Sequence, residues 1–291
     1  MVLHVLILLL GVYACSTAVI MIKATDVDPV LLAAYRQLIA AAALSPLFVR
    51  DLRRHGRRYR PTHLLRAVVP GLLLGAHFIS WIIGARMTPA ANSSLIVNMV
   101  PVAMPFLLHF MVRERLTRGE WLGTALAVAG VAVLAGADYG LGGRHFLGDV
   151  ICLGSMVLFA AYLALGRRNR DFPTVWLYLV PLYFVGGAAC FLASLARVSP
   201  AAVGTVRDVV LIFGLGLVPT VIGHSILNAS MKHLRGQSVS IANLGQFLFA
   251  GIMAAFCFGE IPTWPFYLAS VLLVAGCALA ILGQGAVTRH Q

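Results

Sequence analysis

The residues of this chain that could do chemistry are one arginine, two histidines and a few amides set in otherwise apolar sequence. Arg36 follows Pro29 by seven residues, which at 1.5 Å per residue places it about 10 Å into a helix opened by that proline. A guanidinium at such a depth in lipid costs roughly 2.5–3.5 kcal/mol even on the lenient insertion scale. It therefore either clamps a solute carboxylate or phosphate, or serves the scaffold by snorkelling outward or bonding carbonyls of a neighbouring helix. His77 and His224 stand 147 residues apart, each beside a glycine-rich run. A neutral imidazole hydrogen-bonds a solute, one titrating near pH ~6.5 hands on a proton, and a lone one can equally join two helices. Asn98, Asn228, Asn243 and Gln246, with Trp81 and Tyr162 beside them, complete the polar set. Polar side chains in lipid face a cavity or another helix, so the runs 90–112 and 239–258 are the candidate cavity walls.

What is missing narrows the chemistry. All ten acidic residues, from Asp26 to Glu260, fall in loops or at the ends of apolar runs. A cation crossing hydrocarbon needs a buried counter-charge, so a carboxylate relay for cations is disfavoured. The chain has no H-E-x-x-H, no G-x-S-x-G and no phosphate-binding G-x-x-x-x-G-K-[ST], which argues against a membrane enzyme and against ATP as the energy source. No cofactor or metal site is expected. The five Cys lie in apolar runs without C-x-x-C spacing and read as small apolar side chains.

The elements that must position these residues follow from composition. With 60% hydrophobic and 11% charged residues among 291, the chain is far more apolar than a soluble domain, in which about a quarter of residues are charged. Apolar runs near the 20 residues needed to cross a bilayer occur at 2–22, 30–49, 67–85, 90–112, 121–137, 150–166, 175–195, 209–229, 239–258 and 264–282. Ten helices with short connections leave no room for a separate soluble domain. With the amino terminus placed inside, cytoplasmic loops hold sixteen of the 22 Lys and Arg, outer loops hold five, and Arg36 lies within a helix. That asymmetry puts both termini in the cytoplasm. It also accounts for the net charge of +12 as orientation and headgroup attraction rather than nucleic-acid binding.

The two halves repeat. At an offset of 146, Ser94 falls on Ser240, Glu114 on Glu260, and Gly130 on Gly276, while Pro29 and Pro173 open equivalent helices. The first copy surrounds its Glu with Arg113, Arg115 and Arg118; the second has no Lys or Arg from Gly236 until Arg289. Five helices per half send the second copy through the membrane upside down, which explains why the arginines do not repeat. The expected units are 1–140 and 148–285. Glu114 and Glu260 precede the runs 121–137 and 264–282, where a negative charge suits the amino terminus of the helix that follows.

Pro29, Tyr35, Arg36, Pro46, Pro101, Glu114, Arg115, Leu116, Gly123 and Gly130, then Gly148, Asp149, Tyr162, Glu260 and Gly276, taken in this order, resemble the EamA family of the drug/metabolite transporter superfamily. The resemblance covers nearly the whole chain. It implies an all-α integral membrane protein of ten transmembrane helices, two inverted five-helix repeats around a central cavity, and outward movement of small solutes across a bacterial inner membrane. It includes an Arg at Arg36 whatever the solute, which favours the scaffold role there. Where relatives often carry a proline matching Pro101, this chain has Leu244, Gly245, Gln246 and Phe247. The expected function is a secondary exporter of small neutral, zwitterionic or anionic metabolites, amino acids foremost, working as a monomer or homodimer, with proton coupling open through the two histidines. A flippase for lipid-linked substrates, or an assembly partner without transport, is the alternative.

Overall fold

The structure is a computed structural model that describes residues 2–113, 117–139, 143–234 and 236–287. Glu114, Arg115, Leu116, Arg235 and Arg289 lie outside the described residues. Every regular element among the described residues is helical. The first half comprises α1 (Val2–Lys23), α2 (Pro29–His55), α3 (Pro61–Ala85), α4 (Ala90–Val97), α5 (Val100–Val112) and α6 (Arg118–Tyr139). The second comprises α7 (Gly143–Arg168), α8 (Trp176–Leu195), α9 (Val206–Leu215), a π-helical segment (Gly216–His224), α10 (Ser225–His233), α11 (Gly236–Leu244), α12 (Gln246–Phe258) and α13 (Trp264–Val287). Eight stretches among the described residues are long and apolar enough to cross a membrane, and α6 and α13 add shorter ones at Trp121–Gly130 and Trp264–Gly276. This is a multi-pass membrane protein.

Three of the expected uninterrupted runs are broken, each for a local reason. In the run 90–112, a continuous helix would drive the Pro101 ring into the Val97 carbonyl and leave that carbonyl without a donor. Accordingly α4 stops at Val97 and α5 starts at Val100, with the Asn98 and Met99 amides turning back onto Leu95 and Ile96. The run 239–258 has no proline but breaks at the equivalent place. Gly245, a residue type worth about 1 kcal/mol less than Ala in a helix, separates α11 from α12, and its amide bonds the Ala242 carbonyl at 3.0 Å. In the run 209–229, Pro219 lacks an amide hydrogen and the backbone widens into the π segment. The Leu215 carbonyl, which an α-helix would pair with the missing Pro219 amide, accepts from Thr220 Oγ1 at 2.7 Å, and other helices reach the same segment, Cys15 Sγ at Pro219 O (3.6 Å) and Tyr183 OH at Thr220 O (3.4 Å).

Helix entry follows ordinary capping at α2, where Asp28 accepts from the Val30 and Leu31 amides at 2.9 and 3.2 Å and Pro29 takes the first turn. Pro173 does not play the matching part, since α8 begins only at Trp176.

The principal packing partners lie in opposite halves: α2 against α8, α3 against α7 and α8, α1 against the π segment and α12, and α6 against α13. Glycine allows the closest of these approaches. A Cβ on Gly71 of α3 would stand 2.6 Å from the Leu182 carbonyl of α8, and one on Gly276 of α13 would stand 2.6 Å from the Gly123 carbonyl of α6. Gly130, the repeat partner of Gly276, faces the Ala269 carbonyl across the same α6–α13 interface.

Candidate functional site

The broken helices converge on the middle of the molecule. A cavity there is lined by Cys15 of α1, Arg36 of α2, His77 and Trp81 of α3, Val97 and Asn98 at the end of α4, Phe159 of α7, His224 of the π segment and Gln246 at the start of α12. Both halves contribute to it. Only about 10 Å³ of it admits the centre of a water-sized sphere, room for about one water molecule. The cavity is therefore closed around its own side chains.

Arg36 is fully buried and does not snorkel. Its Nε donates to Thr220 Oγ1 at 2.7 Å, and Thr220 in turn donates to the Leu215 carbonyl at 2.7 Å inside the π segment. The guanidinium carbon lies 3.8 Å from the Phe78 ring centroid and 5.8 Å from that of Trp81, a cation–π arrangement that occupies its face. Its Nη1 has no hydrogen-bond partner.

The histidines flank one ring. His77 stacks on Phe159 at 4.6 Å between centroids and 13° between planes, and on Trp81 at 5.9 Å, also at 13°. His224 approaches the same Phe159 at 5.6 Å and Phe78 at 5.3 Å. His77 Nδ1 lies 2.8 Å from Ser155 Oγ and 3.1 Å from the Ser155 carbonyl, and Trp81 Nε1 donates to Ser93 Oγ at 3.1 Å. Tyr162 and Asn228 are set behind this row and hydrogen-bond each other, with Asn228 also donating to the His224 carbonyl at 2.8 Å.

The amides form a chain across the two helix breaks. Gln246 Nε2 donates to Asn243 Oδ1 at 2.5 Å, Asn243 Nδ2 to Asn98 Oδ1 at 2.7 Å, and Asn98 Nδ2 to the Ser94 carbonyl at 2.8 Å. Asn98 and Gln246 reach the cavity, while Asn243 sits between them out of contact with it. Of the nine residues singled out in the sequence, Arg36, His77, Trp81, Asn98, His224 and Gln246 line the cavity; Tyr162, Asn228 and Asn243 buttress it. Cys15, Val97 and Phe159 line it without having been singled out, because an apolar side chain in an apolar run gives no signal of which way it faces.

Polar contacts, some between the halves and some within one half, gather at both ends of the helix bundle. At one end Lys23 Nζ pairs with Glu260 Oε1 at 2.5 Å and donates to the Thr88 carbonyl at 3.1 Å, while Glu260 Oε2 accepts from the Ala90 amide at 2.7 Å. The expected role of Glu260, serving the helix that follows it, is corrected here: its carboxylate serves the amino terminus of α4 in the other half, where the loop from 259 to 263 carries it. Arg86 adds bonds to the Thr25 and Ile22 carbonyls, and Thr25 bonds Asp208. At the other end Arg66 pairs with Asp171 through two nitrogens at 2.6 and 2.9 Å and with Asn169 Oδ1 at 2.7 and 3.0 Å. That hydrogen-bonded pairing holds the Asp171 carboxyl below the usual carboxylate range. Lys232 donates to the Phe172 carbonyl, and Arg167 to those of Met231 and Leu234.

Membrane-spanning helices broken at mid-length around a closed polar cavity, shared between two repeated halves, define a multi-pass membrane protein of the transporter class. The chain belongs to the EamA-like transporter family, which matches residues 2–136 and again 146–282. It is similar to an uncharacterized transporter of Archaeoglobus fulgidus, 24% identical over 275 residues and covering 94% of each chain. A solved crystal structure superposes on 96% of this chain and 97% of its own with a TM-score of 0.74 at 18% identity, a likeness of fold.

Proposed function

We propose that this protein is a secondary transporter that exports small neutral, zwitterionic or anionic metabolites across the inner membrane by alternating access. In this reading ten helices form two inverted repeats, 1–140 and 148–285, with both termini in the cytoplasm, the Arg66–Asp171 end facing inward and the Lys23–Glu260 end facing outward. The observation that carries the reading is the closed cavity at the junction of the halves, bounded at each end by contacts between them. A solute admitted from one side needs only one set of end contacts to open while the other holds. The three helix breaks supply the bending that such rocking requires. Arg36, His77, Trp81, Asn98, His224 and Gln246 contact the solute; Tyr162, Asn228 and Asn243 position them.

The test is reconstitution into liposomes with a competition panel of amino acids, organic anions, organic cations and lipid-linked sugars, with and without a pH gradient. Saturable uptake of a small soluble solute, absent from protein-free liposomes, is expected. Movement confined to lipid-linked substrates would replace this reading with that of a flippase.

A further inference from the structure

The central cavity carries one permanent charge, and among the described residues none of those lining it is Asp or Glu. Arg36, one of the lining residues, spends one nitrogen on the Thr220 hydroxyl and its face on Phe78, and its Nη1 is buried without a hydrogen-bond partner. A guanidinium held face-on by a ring still presents its N–H groups in plane, the direction from which a carboxylate is bound. Buried without a partner it is costly, and an arriving anion offsets that cost. A cation would meet like charge, and the ammonium of a zwitterion would find no carboxylate among the lining residues. The stacked Trp81, His77 and Phe159 rings give the cavity an aromatic side for the rest of a small solute.

Building on the export reading above, we propose that the cavity takes small monoanionic carboxylates, seated on the free edge of Arg36, and that their export is electrogenic and driven by the membrane potential. The charge on Arg36 stays with α2, so each cycle carries only the solute's negative charge outward. An inside-negative potential of 100 mV then drives about 50-fold accumulation on the outer side.

The experiment is electrical, because a weak acid that leaks through lipid in its neutral form carries no charge. Proteoliposomes on a solid-supported membrane receive concentration jumps of lactate, benzoate, benzamide, leucine, phenylalanine and tetraethylammonium, and tracer flux is measured in parallel under potassium–valinomycin clamps. Expected are saturable currents of anion sign for the carboxylates, none for benzamide, the zwitterions or the cation, and initial tracer flux in excess of protein-free liposomes that follows the clamped potential and does not change with a pH gradient at zero potential. Arg36→Gln should lower the carboxylate current at least tenfold and Arg36→Lys should retain part of it. Preferential movement of a zwitterion or cation, protein-dependent carboxylate flux without current, or an unchanged current in Arg36→Gln overturns the proposal while leaving transport intact. Absence of flux for every probe overturns the export reading as well. If Arg36→Gln fails to accumulate in the membrane, the wild-type currents and Arg36→Lys still decide.

Discussion

Lys23 and Glu260 meet with side chains 17% and 27% exposed, whereas Arg66 and Asp171, at the opposite end of the cavity, meet with side chains 37% and 57% exposed. Their distances are nearly equal; their surroundings are not. Glu260 spends its second oxygen on the first amide of α4, so a single carboxylate joins α1, α4 and the loop before α13. Asp171 spends both oxygens on one exposed guanidinium, where water and salt screen the attraction. The ends are therefore unequal latches, the Arg66–Asp171 pairing being the more screened of the two. A transporter that loads from the Arg66 side and releases past Glu260 would meet its tighter barrier after the solute is already enclosed.

Four measurements can break or sharpen this contrast. Glu260→Ala has the largest expected effect, because it strips Lys23 of its counter-charge and orphans the Ala90 amide. Hydrogen bonds to charged groups contribute about 1.5–3 kcal/mol, so labelling of Cys15, as the sole cysteine, by a water-soluble thiol reagent should rise roughly tenfold or more from the Glu260 side. Asn243→Leu comes next. It removes the middle amide between Asn98 and Gln246, at about 0.6 kcal/mol for each interhelical bond in a membrane, and should lower the melting temperature in detergent without favouring labelling from either side. Asp171→Ala follows, since it removes only the exposed pair and leaves the Arg66–Asn169 bonds in place, with a cost of up to about 1 kcal/mol and a small rise in Cys15 labelling from the Arg66 side alone. A larger effect there than for Glu260→Ala would reverse the ranking of the latches.

The smallest effect is one of pH. Because its pairing with Arg66 lowers the Asp171 carboxyl in the folded protein, the contribution of that pair is complete above the unfolded carboxylate pKa of about 4. It is lost as pH falls through the lower folded value. Acidification below about pH 4 should loosen the Arg66 end in the wild type, and Asp171→Asn should flatten that dependence. Persistence of the full acid response in the variant would assign it to another carboxylate.

Part of the lining of the central cavity was legible in the sequence, because polar residues stand out in apolar runs. Asn98 and Asn243, 145 residues apart and so within one place of the repeat offset, hydrogen-bond directly. Gly130 and Gly276 lie in one helix interface, and His77 and His224 approach the same Phe159 ring. Other features left no trace in the sequence. Phe159 and Cys15 are apolar residues among apolar residues, and which face of a helix looks inward depends on the neighbours. The break at Gly245 was obscured by the missing proline; the helix ends there because glycine and the amide chain do from the side-chain and propensity side what Pro101 does by steric exclusion.

By itself the sequence determined a helical membrane chain of two repeated units with a sparse polar set at mid-depth, because the bilayer forces backbone hydrogen bonding into helices and lets few polar residues in without a reason. Only the tertiary structure decided how those residues are used. Glu260 serves the other half, the π turn at Pro219 delivers Thr220 to Arg36, and the guanidinium, on a residue that lines the cavity, is left with Nη1 unpartnered. Each of these depends on which helices from opposite halves touch, and that is set by the summed packing of the two halves rather than by any local pattern.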